Sequence, residues 1–276
     1  QAVLAQADHA LTIAETAQHH VADRLAAVTG YGEENHHQWL SKLEKVLSAE
    51  KFILFAQPVF TCSDPQRIVH LKVLARIQED NGEITPAGRF MPWVHRFSLS
   101  VRMDLVMIKQ ILREMTKTPH PIALSISGES VANDENLNAI LQLLKDAPNQ
   151  ANRLTLELDE NELPDVERVN QLVNKLKALG CRLGIQHFGG RFNLIGNLPQ
   201  WGLAWIKVDG AYIHLIDTEE DKKIFIEAMY WATRQIDLPL IAERVETSGE
   251  LAILNKIGLY GAMGRYFGDP GLLSEQ

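Results

Sequence analysis

Apolar residues recur along this chain in two rhythms. Short, nearly continuous apolar runs predict strands at 52–60, 69–78, 122–127, 154–158, 182–186, 204–208, 238–242 and 260–263. Between most of them apolar positions fall three or four apart, which predicts amphipathic helices at 101–115, 136–144, 166–179, 221–235 and 249–257. Strands alternating with helices call for a parallel sheet, because each crossover helix packs back onto it. Eight such strands close into a (β/α)8 barrel. The first connection, 60–68, is too short for a crossover helix, so the first two strands are expected to be antiparallel.

Ahead of the barrel, Leu4, Ala7, Leu11, Ala14, Val21, Leu25 and Val28 share a spacing that predicts one helix over 1–29. Gln18 is its polar exception, and Gly30 stands where helices commonly stop. This helix either packs on its own domain or forms an interdomain or coiled-coil seam, weakened by its small alanines. A second helix is expected at 39–47. The chain starts inside a helical pattern, so it reads as a piece of a longer protein: 1–37 a linker helix, 38–276 the barrel domain.

Composition narrows the chemistry. The 276 residues carry a net charge of −8 and no long basic run, which argues against a nucleic-acid polymer as partner. Cys62 and Cys181 lack CxxC spacing and read as reduced thiols. Neither a signal peptide nor an apolar run of about 20 residues is visible.

In barrels of this kind the site lies at the C-terminal strand ends. That rule nominates Arg76, Ser125 and Ser127, Glu157 and Glu160, Gln186 and His187, Lys207 and Asp209, Glu243 and Glu246. Such a set suits a phosphate diester, with cations on the phosphates and carboxylates on guanine N–H groups. It equally suits ion pairs satisfied at the rim.

Short segments then carry a resemblance: Gln57-Pro58, Lys72-Val73-Leu74-Ala75-Arg76, Pro86 to Pro92, Leu156 to Glu160, Phe188-Gly189, Lys207-Val208-Asp209, Ala242 to Thr247 and Gly264 to Pro270. In this order and spacing the chain resembles the EAL family of cyclic di-GMP phosphodiesterases over about 38–272. The resemblance implies an EAL-type TIM barrel, with Gln57 and Leu74 along the dinucleotide and Arg76 on a phosphate. Asp209, Glu243 and Glu246 fall on ligand polar groups, Asp104 near a guanine and Pro270 in the lining. Phe90, Met91 or Tyr266 would supply flat walls for the guanines.

Family enzymes hold two divalent cations on oxygen ligands to activate a water. Here Lys72 stands at the signature glutamate, Ser125 at an asparagine, Gln186 and His187 at paired aspartates, and Met263 at a glutamine. Glu157, Lys207 and Glu243 remain as remnants of the catalytic set. A lysine repels a cation, so the expectation is a degenerate EAL domain with no metal, no required cofactor and no enzymatic activity. Lys72 would replace a metal by pairing Glu157 or Glu243. Hydrolysis to linear pGpG with one metal, and a nucleotide-free interaction domain, stand as alternatives.

The Lys72–Arg76 form of the signature and Ala7 to Leu11 with Ala14 point to LapD-type receptors, in which a diguanylate cyclase-like (GGDEF) domain precedes a degenerate EAL domain. That implies a cytoplasmic domain of a bacterial inner-membrane protein, a homodimer that reads cyclic di-GMP to control adhesion and biofilm, with a periplasmic protein partner.

Overall fold

A computed structural model describes residues 33–275. The helix expected at 1–29, and with it the cyclase-like tail, lies outside the described residues. The described residues divide into two compact units, 33–53 with 75–106 and 54–74 with 107–275.

The larger unit carries a closed eight-stranded barrel. Its strands are β1 (Ile53–Thr61), β2 (Ile68–Gln78), β4 (Ile122–Ser125), β5 (Leu154–Asp159), β6 (Arg182–Phe188), β7 (Ile206–Val208), β8 (Leu240–Ala242) and β9 (Gly261–Ala262). Neighbours from β2 through β4 to β9 are parallel; β1 pairs antiparallel with β9 and also pairs with β2. So β1 runs against the rest, as the short first connection requires. A further strand, β10 (Gly271–Leu272), pairs antiparallel with β1 and was not expected. Strands β5, β7 and β8 are buried on both faces, which explains their unbroken apolar runs. Val59, Ala123, Ala204, Trp205, Ile241 and Met263 form one core cluster inside.

Helices cross between the strands where the spacing predicts. The helix α5 (Val166–Ala178) buries Val169, Leu172, Val173 and Leu176, a stripe at i, i+3, i+4 and i+7, and Asp165 caps its start by accepting from the Arg168 N–H at 2.9 Å. The helix α7 (Ser248–Ile257) opens with a capping box between Thr247 and Glu250 and stops at Gly258, whose φ of 102° only glycine adopts freely. The others are α4 (Asp134–Lys145) and α6 (Glu220–Arg234).

The smaller unit holds α1 (Glu33–Ser48), the end of β2 with β3 (Ile84–Pro86), α2 (Ala87–Arg96) and the first half of α3 (Ser100–Glu114). Neither β3 nor α2 was expected. The hairpin pairs Arg76 with Pro86 and turns at Gly82, φ 86°. Rings fill the inside of this unit: Trp39 stacks on Trp93 at 6.2 Å, and Phe52 meets Phe90 at 6.1 Å. Phe90 is fully buried, so it is a core residue and cannot present a wall to a guanine. No helix among the described residues is long and apolar enough to cross a membrane.

Candidate functional site

The buried centre of the site is Glu157. It lies on β5, in register with Ser125 on β4 and Gly184 on β6, and it has no exposed surface. One carboxylate oxygen, Oε2, accepts from the Lys72 ammonium. The other takes the Trp205 indole N–H at 2.6 Å and faces the Lys207 ammonium at 2.7 Å. Gly184 makes this possible: a Cβ there would come within 2.7 Å of Trp205 Nε1 and 3.3 Å of Glu157 Cγ.

Lys72 reaches further, to Ser125 Oγ at 2.5 Å and Gln186 Oε1 at 2.8 Å, and Ser125 also donates to Gln186 Oε1 at 2.8 Å. Three of the five departures from the enzyme pattern, Lys72, Ser125 and Gln186, therefore form one network. Of the two partners expected for Lys72, the structure selects Glu157. Burial alone would raise the Glu157 carboxyl, but Lys207 and Lys72 together hold it well below the usual carboxylate range. Burial pulls the Lys207 ammonium below its usual value, and the like charge of Lys72 adds to that pull.

His187 forms a second cluster. Its backbone is left-handed at φ 52°, its Nδ1 lies 2.7 Å from Asp159 Oδ2, and its backbone N–H meets Glu243 Oε2 at 3.4 Å. Burial opposes protonation there, but the Asp159 hydrogen bond and the Glu243 charge hold the imidazole above its ordinary value. Just beyond, the buried Glu160 carboxylate accepts from the Gly189 and Gly190 N–H groups at 2.7 and 2.8 Å, which fixes the loop after β6.

Of the remaining expected residues of this unit, Asp209, Glu243 and Glu246 follow strand ends, while Gln57 and Leu74 lie within their strands. Half-buried Asp209 follows β7 and caps a helical turn through the Ala211 N–H at 2.7 Å. Glu243 and Glu246 follow β8, the first buried and the second exposed. Gln57 on β1 reaches toward the Gly268 carbonyl at 3.5 Å, in the loop that holds Pro270 and the exposed Tyr266. Leu74 is half-buried on β2. Arg76 and Asp104 belong to the smaller unit, Arg76 half-buried and Asp104 buried.

Two residues of the network were missed from sequence. His70 is fully buried, stacks on Trp205 at 4.2 Å, and has no hydrogen-bond partner on either ring nitrogen. His70 and Trp205 each lie two residues before a site lysine, Lys72 and Lys207. The period-two rule of strands places them on the same face as those lysines, and that signal could have found both.

A divalent cation asks for a cluster of hard oxygen ligands. Here the Glu157 carboxylate is already covered by an ammonium on each side. No group of three or more His, Cys, Asp or Glu among the described residues is arranged to hold a metal ion. These residues do not fit the binuclear centre that the resemblance implies.

Comparison with known proteins agrees on the fold. The EAL domain family matches residues 40–270. The cyclic di-GMP phosphodiesterase PdeF of Escherichia coli is 26% identical over 84% of this chain and 31% of its own length. The cyclic di-GMP phosphodiesterase PdeB of Shewanella oneidensis is 24% identical over 98% of this chain and 32% of its own. The chain thus spans about a third of these curated relatives. Among solved structures, the PaMucR phosphodiesterase in complex with c-di-GMP superposes at a TM-score of 0.77 with 21% identity, covering 86% of this chain and 99% of the other. The S helix-GGDEF-EAL portion of Vibrio cholerae LapD, bound to c-di-GMP, does so at 0.75 with 20% identity, covering 84% and 57%.

These relatives overturn the expectation that the chain is not an enzyme. That expectation counted metal ligands at a few positions. Similarity over the whole barrel weighs every strand and loop, and it sets the chain among proteins named as phosphodiesterases.

Proposed function

The chain belongs to the EAL domain family, and from that premise we propose that it binds cyclic di-GMP at the C-terminal strand ends of its barrel. One observation carries the reading. Glu157 is paired internally with two ammonium groups, Lys72 and Lys207, so the buried carboxylate at the floor of the site needs no added cation. Asp209, Glu243 and Glu246 are then left to accept from guanine N–H groups, while Gln57, Leu74 and Pro270 border the dinucleotide. Arg76 on a phosphate and Asp104 near a guanine rest on the resemblance alone.

A second reading adds turnover of the bound dinucleotide to linear pGpG. The relatives named as phosphodiesterases favour it. The carboxylate of Glu157, already paired with two ammonium groups, does not fit a metal for that step.

The domain reports cyclic di-GMP to upstream parts of a longer protein, in this proposal a dimeric, membrane-anchored receptor with a cyclase-like domain and a periplasmic partner. The GGDEF-EAL arrangement of the LapD neighbour supports it. The test is a thermal-shift series with cyclic di-GMP and GTP, followed by chromatography for pGpG. Cyclic di-GMP should raise the melting temperature and GTP should not. Equal shifts, or none, would remove the binding reading, and the pGpG peak decides the second one.

A further inference from the structure

The geometry points to Arg244 as an anion-recognition residue at the barrel mouth, placed there to take a phosphate oxygen of the dinucleotide. This inference rests on the binding reading above and names one more contact for it.

Arg244 follows Glu243 at the end of β8 and adopts φ 58°, in the left-handed region that a residue with a Cβ enters at a cost. Such an outlier persists only where its surroundings over-determine it, and those places gather at functional sites. Here the surroundings do so. The Val245 N–H donates to the Met263 carbonyl at 3.0 Å, and the Tyr266 N–H donates to the Val245 carbonyl at 3.0 Å. A Cβ on Gly264 would lie 2.2 Å from the Val245 oxygen and 2.8 Å from the Arg244 carbonyl carbon, so the two backbones are pressed together. The turn must pass through position 244 in this conformation. Glycine would suit it best, yet an arginine stands there.

A Cβ on Gly210 would meet Arg244 Cδ, Cβ and Cγ at 2.5, 2.6 and 2.7 Å. The aliphatic stem of Arg244 therefore lies across the bare backbone of Gly210, which directly follows Asp209. This lays the stem over the turn between Asp209 and the end of β8. The residue is exposed and has no hydrogen bond or ion pair among the described residues.

Charge supplies the ligand. Asp209, Glu243 and Glu246 make this rim acidic, and a phosphate diester adds negative charge of its own. The two buried lysines are committed to Glu157. A planar guanidinium, always charged and matched to phosphate oxygens, offsets that repulsion from the rim.

The test uses the whole chain in three forms: wild type, Arg244→Gly and Arg244→Asn. Both replacements tolerate a left-handed backbone and neither carries charge. Each should melt no lower than wild type and bind cyclic di-GMP at least tenfold more weakly in a calorimetric titration. Dissociation constants within twofold of wild type would overturn the assignment. So would lower melting of both variants, which would make Arg244 a structural residue. A wild-type chain that takes up no cyclic di-GMP would instead remove the binding reading on which the assignment stands.

Discussion

Replacing Lys72 by Met tests the charge arrangement at the floor of the barrel. In the native network one buried carboxylate, Glu157, faces two buried ammonium groups, Lys72 and Lys207. Removing one partner of a buried pair costs about 3–5 kcal/mol, because the other charge stays behind without compensation. Lys72→Met leaves Glu157 with Lys207 at 2.7 Å and the Trp205 N–H at 2.6 Å, so the cost falls at the low end, about 3 kcal/mol. Glu157→Gln leaves two like charges buried with no anion between them, so its cost is the larger, about 5 kcal/mol. Either is a large share of a domain stability of about 5–15 kcal/mol. Guanidinium unfolding of the three proteins, followed by far-ultraviolet circular dichroism at pH 7, measures both. The acid side gives a second readout. A carboxyl held below its unfolded value of about 4.3 stabilises fully above that pH and fades as pH falls toward its folded value. Lys72→Met should shrink that acid-dependent part. A Lys72→Met protein less stable than Glu157→Gln, or no change in either, would refute the reasoning.

Three further outcomes are expected. Burial and the charge of Lys207 hold His70 well below its usual value, so the unfolded chain binds the extra proton. Stability should then fall by about 1.4 kcal/mol per pH unit below about 6.5 and gain nothing from this group above it. His70→Phe keeps a ring on Trp205 and should flatten that slope, and pH-resolved urea unfolding checks it. Glu160→Ala strips two backbone N–H groups of their acceptor, and limited proteolysis should cut the loop after β6 faster, with the rest of the digest unchanged. Asp209→Ala and Glu243→Ala should each weaken cyclic di-GMP binding by about 1–3 kcal/mol, since in the proposed site each accepts from ligand N–H groups, and a calorimetric titration reads it.

The barrel was legible because two simple rules write it into the sequence. Strands buried on both faces read as apolar runs, and crossover helices bury one stripe each. The direction of β1 followed from the length of one connection. The hairpin of β2 and β3 escaped, although Asn81-Gly82 is a turn signal, because a three-residue strand has no period to read. Helix α2 escaped because Pro92 inside it reads as a breaker, while Phe90, Trp93 and Val94 hold it by packing. At the site, the strand-end rule found Glu157, Lys207 and Glu243. What it could not find was partnership. That Lys72 pairs Glu157 and reaches Gln186 depends on register across β2, β4, β5 and β6. The strain at Arg244 likewise shows only in the backbone, since nothing in a sequence prints a φ.

The central claim is tested most directly by calorimetric titration of the chain with cyclic di-GMP, run once with magnesium and once with a chelator. Binding of one dinucleotide per chain with the same dissociation constant in both is the predicted result, because Lys72 and Lys207 already supply the positive charge at Glu157. Absence of heat at high micromolar ligand, or binding that the chelator abolishes, would contradict the account.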